Sequence, residues 1–215
     1  MLDVHAPNES MHGWRDFLLH LITITIGLLI ALSLEGLVQW DHDRHLVRDA
    51  EASLHAEITG NADDMPGVIA DLHRRQAVLK HDVDVLNYIA ANGKYPKDKD
   101  MAVEFRIVTF DAVAWKTAQS TGALSYMPYH LAQDYAGIYA AQDLFTDSEV
   151  QATRDYAIAV GPFFNEPDNS PPPAHEEAEA IIQKIGVLQG QLILVNAFMQ
   201  GLSDEYKQFL ATHPN

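Results

Sequence analysis

The chain has no cysteine among its 215 residues. That excludes disulfide scaffolds, thiolate zinc sites, iron–sulfur clusters and cysteine nucleophiles together. Basic side chains are also scarce: 14 Lys and Arg stand against 30 Asp and Glu, for a formal charge of −16. A surface of that sign does not neutralise phosphates, so nucleic acid is excluded as a partner. Sustained period-two alternation, a Gly-rich phosphate loop, a nucleophile elbow and a Walker-type lysine are all missing. What is present is an ordinary globular composition, 47% hydrophobic and 20% charged. The length suits one domain with an appendage.

The appendage is N-terminal. Residues 17–34 (FLLHLITITIGLLIALSL) form an 18-residue run without a formal charge. As a helix the run is about 27 Å long, close to the hydrocarbon thickness of a bilayer. Trp14 and Trp40 flank it at interfacial positions and Arg15 can snorkel. The leading segment is not basic and no small-x-small cleavage site follows, which favours a retained span over a signal peptide. The expected division is a leading segment 1–13, a transmembrane helix with its flanks at 14–40, and an acidic extramembrane bundle at 41–215. His20, Thr23, Gly27, Ala31 and Glu35 share one arc of about 120°. Thr23, Gly27 and Ala31 make a small-x-x-x-small ladder, so this arc is the expected helix-packing face for other integral membrane subunits. Sparse basic residues on both sides lean towards a periplasmic domain.

Beyond Trp40 the periodicity predicts a stalk helix through Val47, Ala50, Leu54 and Ile58 to Gly60-Asn61. Asp63 to Pro66 resemble a cap and first turn. The next helix would use Met65, Ile69, Leu72, Gln76, Leu79, Val83, Leu86 and Ala90 as its seam and close at Asn92-Gly93. Residues 94–100 are a charged loop. Residues 101–120 suggest a helix or broken helix offering Phe105, Val108, Val113 and Trp115 to a core, stopped at Thr121-Gly122. A helix from Pro128 to about Phe145 follows, then a capping-like sequence at residues 146–149 that opens another helix to Val160. Residues 161–173 (GPFFNEPDNSPPP) form a proline-rich loop. Ala178, Ile181, Ile185, Leu188, Leu192, Val195, Met199, Leu202, Tyr206 and Phe209 keep three-four alternation in the last helix. That seam predicts a core helix despite the uncharged stretch at residues 185–203. The fold class is all-α: a transmembrane helix continuing into a stalk, and an antiparallel bundle with a long C-terminal helix.

Candidate chemistry is thin, and neither a cofactor nor catalysis is expected. The nearest approach to a metal site is His12, Asp16 and His20 at four-residue spacing, with His42 and His45 beside Asp41 and Asp43 beyond the span. His175-Glu176-Glu177 lacks the second histidine of the zincin motif and suits a helix start. Tyr126, Tyr129, Tyr135 and Tyr139 recur at helical spacing, which suits packing more than a ligand pocket. Charge is more telling: residues 117–183 hold Arg154 as their one basic side chain against ten acids. Asp134, Asp143, Asp147, Glu149, Asp155, Glu166 and Asp168 thus mark a candidate surface for a cationic soluble protein.

The segment WRDFLLHLITITIGLLIALSLEGLVQW, followed by RHLVRDAEASLHAEITGN, resembles uncharacterised bacterial single-span membrane proteins. In these an I-G-x-L-I-A-L core leads to a Trp and then a helical L-x-x-E-I-x-x-N stretch. The resemblance covers roughly residues 12–61 and implies an anchor and a stalk, with no activity attached. Some relatives carry asparagines after the span, where this chain has Glu35, Gln39 and the residues from Asp41 to His45. The expected function is that of a non-catalytic accessory or scaffold subunit of a larger bacterial inner-membrane complex, an energy-transducing one (respiratory or photosynthetic) being a concrete case. The alternatives are a membrane-anchored ligand-sensing bundle and a metal-dependent enzyme built on the juxtamembrane histidines.

Overall fold

In the computed structural model, residues 13–97, 101–102, 106–164 and 170–214 are described. The chain is all-α, with no strand among the described residues. Helix α1 spans Trp14–Asn92, α2 Val113–Thr121, α3 Tyr129–Phe164 and α4 His175–Thr212, with a 3₁₀ turn at Ala123–Ser125. Two units divide within α1, at Met1–Arg48 and Asp49–Asn215, slightly beyond the boundary expected after Trp40.

The second unit is built from three interlocking heptad seams. On α1, Leu54, Ile58, Asn61, Met65, Val68, Leu72, Leu79, Asp82, Leu86 and Ile89 are buried, and Arg75 completes the alternation of four and three. On α3, Tyr135, Ile138, Gln142, Phe145, Glu149, Ala152, Tyr156 and Ala159 keep the same spacing. On α4 all ten seam residues are buried, none more than 5% exposed. Such spacing keeps one face of each helix turned to its neighbours over many turns.

Cross-helix contacts set the directions. Tyr139 meets Glu57 and Glu149 meets Arg75, so α3 runs the same way as α1. Gln142 meets Tyr206 and Asp155 meets Gln191, so α4 runs opposite to α3. His55 against the His213 carbonyl and His175 against that of Ala90 set α4 opposite to α1 as well. Two long helices that run the same way need a return segment between them. The described residues between Gly93 and Ala112 provide it, and α1 side chains anchor them. Asp82 accepts from the Ala102 N–H (2.8 Å), Asp71 contacts Arg106 (3.4 Å), and Asn61 brackets the Asp111 backbone with one bond each way (2.8 and 3.0 Å). The α1 anchors come in reverse order, Asp82 for Ala102, Asp71 for Arg106, Asn61 for Asp111 and Glu57 for Ala114, so the described part of the segment lies back along the helix.

Of the helix or broken helix expected at residues 101–120, the second half is present as α2, and the described residues of the first half belong to this return. Residues 101–102 and 106–112 are not helical, and Val113 is 70% exposed. Phe110 is the aromatic anchor, 5.3 Å from the Phe145 ring and 5.9 Å from that of Tyr206. Phe105 lies outside the described residues.

Three expected helix boundaries are overridden. α1 passes through Gly60, Asn61 and Pro66 without a break. Asn61 spends its side chain on Asp111 instead of a cap, and Pro66 removes only the bond to the Ala62 carbonyl. α3 passes through residues 146–149, where the Ser148 hydroxyl donates back to the Leu144 carbonyl (2.8 Å) and Glu149 turns into the core. It also continues past Gly161 to Phe164. Two predicted stops hold. Gly93 (φ 62°) and Gly122 (φ 76°) adopt the left-handed conformation that ends α1 and α2, a geometry open to glycine at little cost.

By length and composition, α1 and α4 are each long and apolar enough to cross a membrane. Nothing in the apolar window of α1 is buried, whereas a third of that of α4 is, along its seam.

Candidate functional site

Within the first unit, residues 14–40 display apolar side chains on every side. Phe17, Ile24, Leu28, Ile30, Leu34 and Val38 are all more than half exposed. The hydroxyls here bond only to their own helix: Thr23 to the Leu19 carbonyl, Thr25 to that of Leu21 (both 2.8 Å) and Ser33 to that of Leu29 (2.7 Å). Back-bonding of this kind satisfies a polar group without water. His20, Thr23, Gly27, Ala31 and Glu35 lie together on one uninterrupted helix, all exposed, and a Cβ at Gly27 would meet nothing within 4 Å. The stripe is therefore open to a second helix. At the end of the run the Arg44 guanidinium sits 4.6 Å over the Trp40 ring.

The weak metal candidates are not gathered. His12 lies outside the described residues, and Asp16 and His20 are the part of that set the structure places. Asp41 faces His45 (3.7 Å) while Asp43 accepts from Gln39 (2.8 Å), so the second cluster separates into two pairs with His42 apart from both. Among the described residues no three His, Asp or Glu side chains converge on a metal-sized site.

The second unit holds a ladder of buried and half-buried polar groups on and beside the helix seams. At one end Glu57 accepts from the Ala114 N–H (2.7 Å), the Trp115 N–H (3.4 Å) and the Tyr139 hydroxyl (2.7 Å). A carboxylate on the first N–H groups of α2 complements its dipole. Trp115 stacks on Tyr139 at 4.8 Å, and burial followed by the Glu57 bond drives the Tyr139 pKa far upward, which keeps the phenol a donor. Burial likewise pushes Tyr135 up to about 12. In the middle Arg75 makes a two-pronged contact with Glu149 (2.9 and 2.5 Å), and its Nε lies 3.1 Å from Asp71. Arg74 and Arg106 reach the same Asp71 carboxylate. A cavity of about 30 Å³ beside this group, lined by Arg75, Arg106, Thr153 and Tyr156 over Leu188 and Leu192, has room for about one water molecule.

Sequence reasoning missed this ladder because it followed hydropathy. At alternate positions of α1 the seam passes through Val68, Arg75, Asp82 and Ile89 instead of Ile69, Gln76, Val83 and Ala90. The heptad count from Leu54 and Ile58 is the signal that finds them. The L-x-x-E-I-x-x-N stretch acquires a structural reason: Leu54 and Ile58 are fully buried, Glu57 holds α2, and Asn61 pins the return segment.

The acidic surface is smaller than expected. Asp134, Asp143 and Asp147 are exposed, and Asp155 is half-buried with its pKa lowered by hydrogen bonds from Gln191 and Gln151. Glu149 is 0% exposed and belongs to the core, which corrects its assignment to that surface. Glu166 and Asp168 lie outside the described residues. Asp134 borders an open depression of about 430 Å³ with Glu205 and His213. Of the four tyrosines, Tyr135 and Tyr139 pack inside, while Tyr126 and Tyr129 are 53% and 78% exposed. His175 begins α4, as expected, with Glu176 and Glu177 in the first turn. No known family model, curated protein or solved structure matches this chain.

Proposed function

We propose that the chain is a single-pass, membrane-anchored accessory or scaffold subunit of a larger bacterial inner-membrane complex, and not itself an enzyme. One observation carries the reading. Residues 14–40 of α1 expose large apolar side chains around the whole helix, while their hydroxyls are satisfied internally. Water penalises such a surface and lipid does not. The face with His20, Thr23, Gly27, Ala31 and Glu35 docks on helices of other integral subunits. The domain lies on the periplasmic side, where Asp134, Asp143 and Asp147 attract a cationic soluble protein, as a carrier in a respiratory or photosynthetic complex would be.

Mild-detergent extraction with affinity capture and mass analysis tests this. A stoichiometric integral membrane protein should co-purify, and Gly27→Ile should release it. A particle containing this chain and no second protein overturns the proposal.

A further inference from the structure

The outward side of α4 carries a second seam that the fold does not use. Gly186, Gly190, Ala197 and Gly201 line its centre, and Val187, Ile193 and Leu194 beside them are 63%, 65% and 57% exposed. A Cβ at Gly186, Gly190 or Gly201 would meet nothing within 4 Å, so packing inside the chain does not require these glycines. Glycine in a helix interior costs backbone entropy, and three on one face indicate that something approaches closely there. No formal charge occurs from residue 185 to 203, although the chain as a whole carries −16. That makes this face a place where two acidic molecules can meet without repulsion.

We propose that the occupant is a second copy of this chain, packed antiparallel on α4 about a two-fold axis between Ile193 and Leu194. The spacing is symmetric about that point. Gly186 then lies opposite Gly201 of the second copy, Gly190 opposite its Ala197, and Ile193 opposite its Leu194. Small residues bring the backbones together, and the branched side chains pack at the centre. The polar ends match in the same register, independently of the glycines. Gln183 comes level with Asp204 of the second copy and Glu179 with its Gln208, while Lys184 falls on the same flank as its Glu205. A parallel pair would instead set Asp204 on Asp204 and Glu179 on Glu179, a like-charge arrangement. A lipid surface fits less well, since glycine offers little apolar area and the rim cations are few, Lys184 and a Lys207 already paired with Asp204.

The absence of cysteine makes the test clean. Full-length Gly186→Cys and Gly201→Cys proteins are mixed in mild detergent, where no bilayer fixes the direction of either copy, and then oxidised. A disulfide-linked heterodimer of the two variants is expected, with little self-linking of Gly186→Cys. No cross-link, or self-linking of Gly186→Cys alone, overturns the proposal. Gly190→Leu should weaken self-association at least about tenfold while leaving the melting curve of the bundle in place. Unchanged association in that variant also overturns it.

Discussion

Arg75 sits 12% exposed between Asp71 and a Glu149 that is fully buried, so each charge depends on the others for solvation. Removing one partner of a buried pair leaves an uncompensated charge, whereas replacing both by apolar groups is close to neutral. Glu149→Ala should therefore lose about 3–5 kcal/mol in chemical denaturation, and the Arg75→Met, Glu149→Leu pair much less. Equal losses in the single and double variants would refute that account. Asp82 obeys the opposite logic. Its carboxyl is 0% exposed, with one oxygen on the Ala102 N–H and the other without a hydrogen bond among the described residues. Burial holds its pKa above the ordinary 3.8, against the Ala102 bond and the His81 charge, so the folded protein binds the proton more tightly than the unfolded chain. Stability from this group is complete below 3.8 and is lost as pH rises through the folded value. Asp82→Asn should remove that slope and stabilise the protein near neutrality, read from urea midpoints across pH 4 to 7. A variant that keeps the wild-type pH slope would exclude Asp82 as its source.

Individual elements show where local rules yield to packing. Pro66 lies inside α1 on an exposed position, so its ring and missing N–H bring no compensating core contact. Pro66→Ala should raise stability by up to about 3 kcal/mol, measured by denaturant unfolding. A neutral or destabilised variant would mean that the irregularity is needed for the path of the helix. Seam and open positions differ in what they contribute. Leu192→Ala on the inner seam should cost about 2–5 kcal/mol, against a few tenths for Ile158→Ala on the open side of α3, where the side chain is 62% exposed. The α4 seam was legible in the sequence because all ten of its positions are apolar or aromatic. Those of α1 and α3 were only partly legible, since Asn61, Arg75, Asp82, Gln142 and Glu149 occupy core positions that hydropathy assigns to solvent.

At the scale of the molecule, charge is the dominant asymmetry. Residues 1–40 hold one basic and four acidic side chains, and residues 41–215 hold thirteen and twenty-six. The second segment therefore carries −13 of the total. Lys207–Asp204 is an exposed ion pair that offsets a part of it. Self-repulsion should weaken as salt shortens the screening length to about 8 Å at physiological strength, whereas the buried Arg75–Glu149 pair is little affected. The melting temperature of the bundle should rise when salt is increased from about 0.01 to 0.5 M. A fall would show that exposed attractions outweigh the excess of negative charge.

What the sequence determined by itself was what depends on near neighbours: the all-α class, the apolar run at residues 17–34, the left-handed stops at Gly93 and Gly122, and the inner seam of α4. Tertiary structure alone decided which polar residues enter the core, that α1 continues through Pro66 and α3 through residues 146–149, and that residues 106–112 return along α1 without forming a helix. The reason is distance along the chain. Arg75 and Glu149 are 74 residues apart, and Asn61 and Asp111 are 50 apart. The cost of burying a polar group is set by the partner it finds, and no local pattern records a partner so far away.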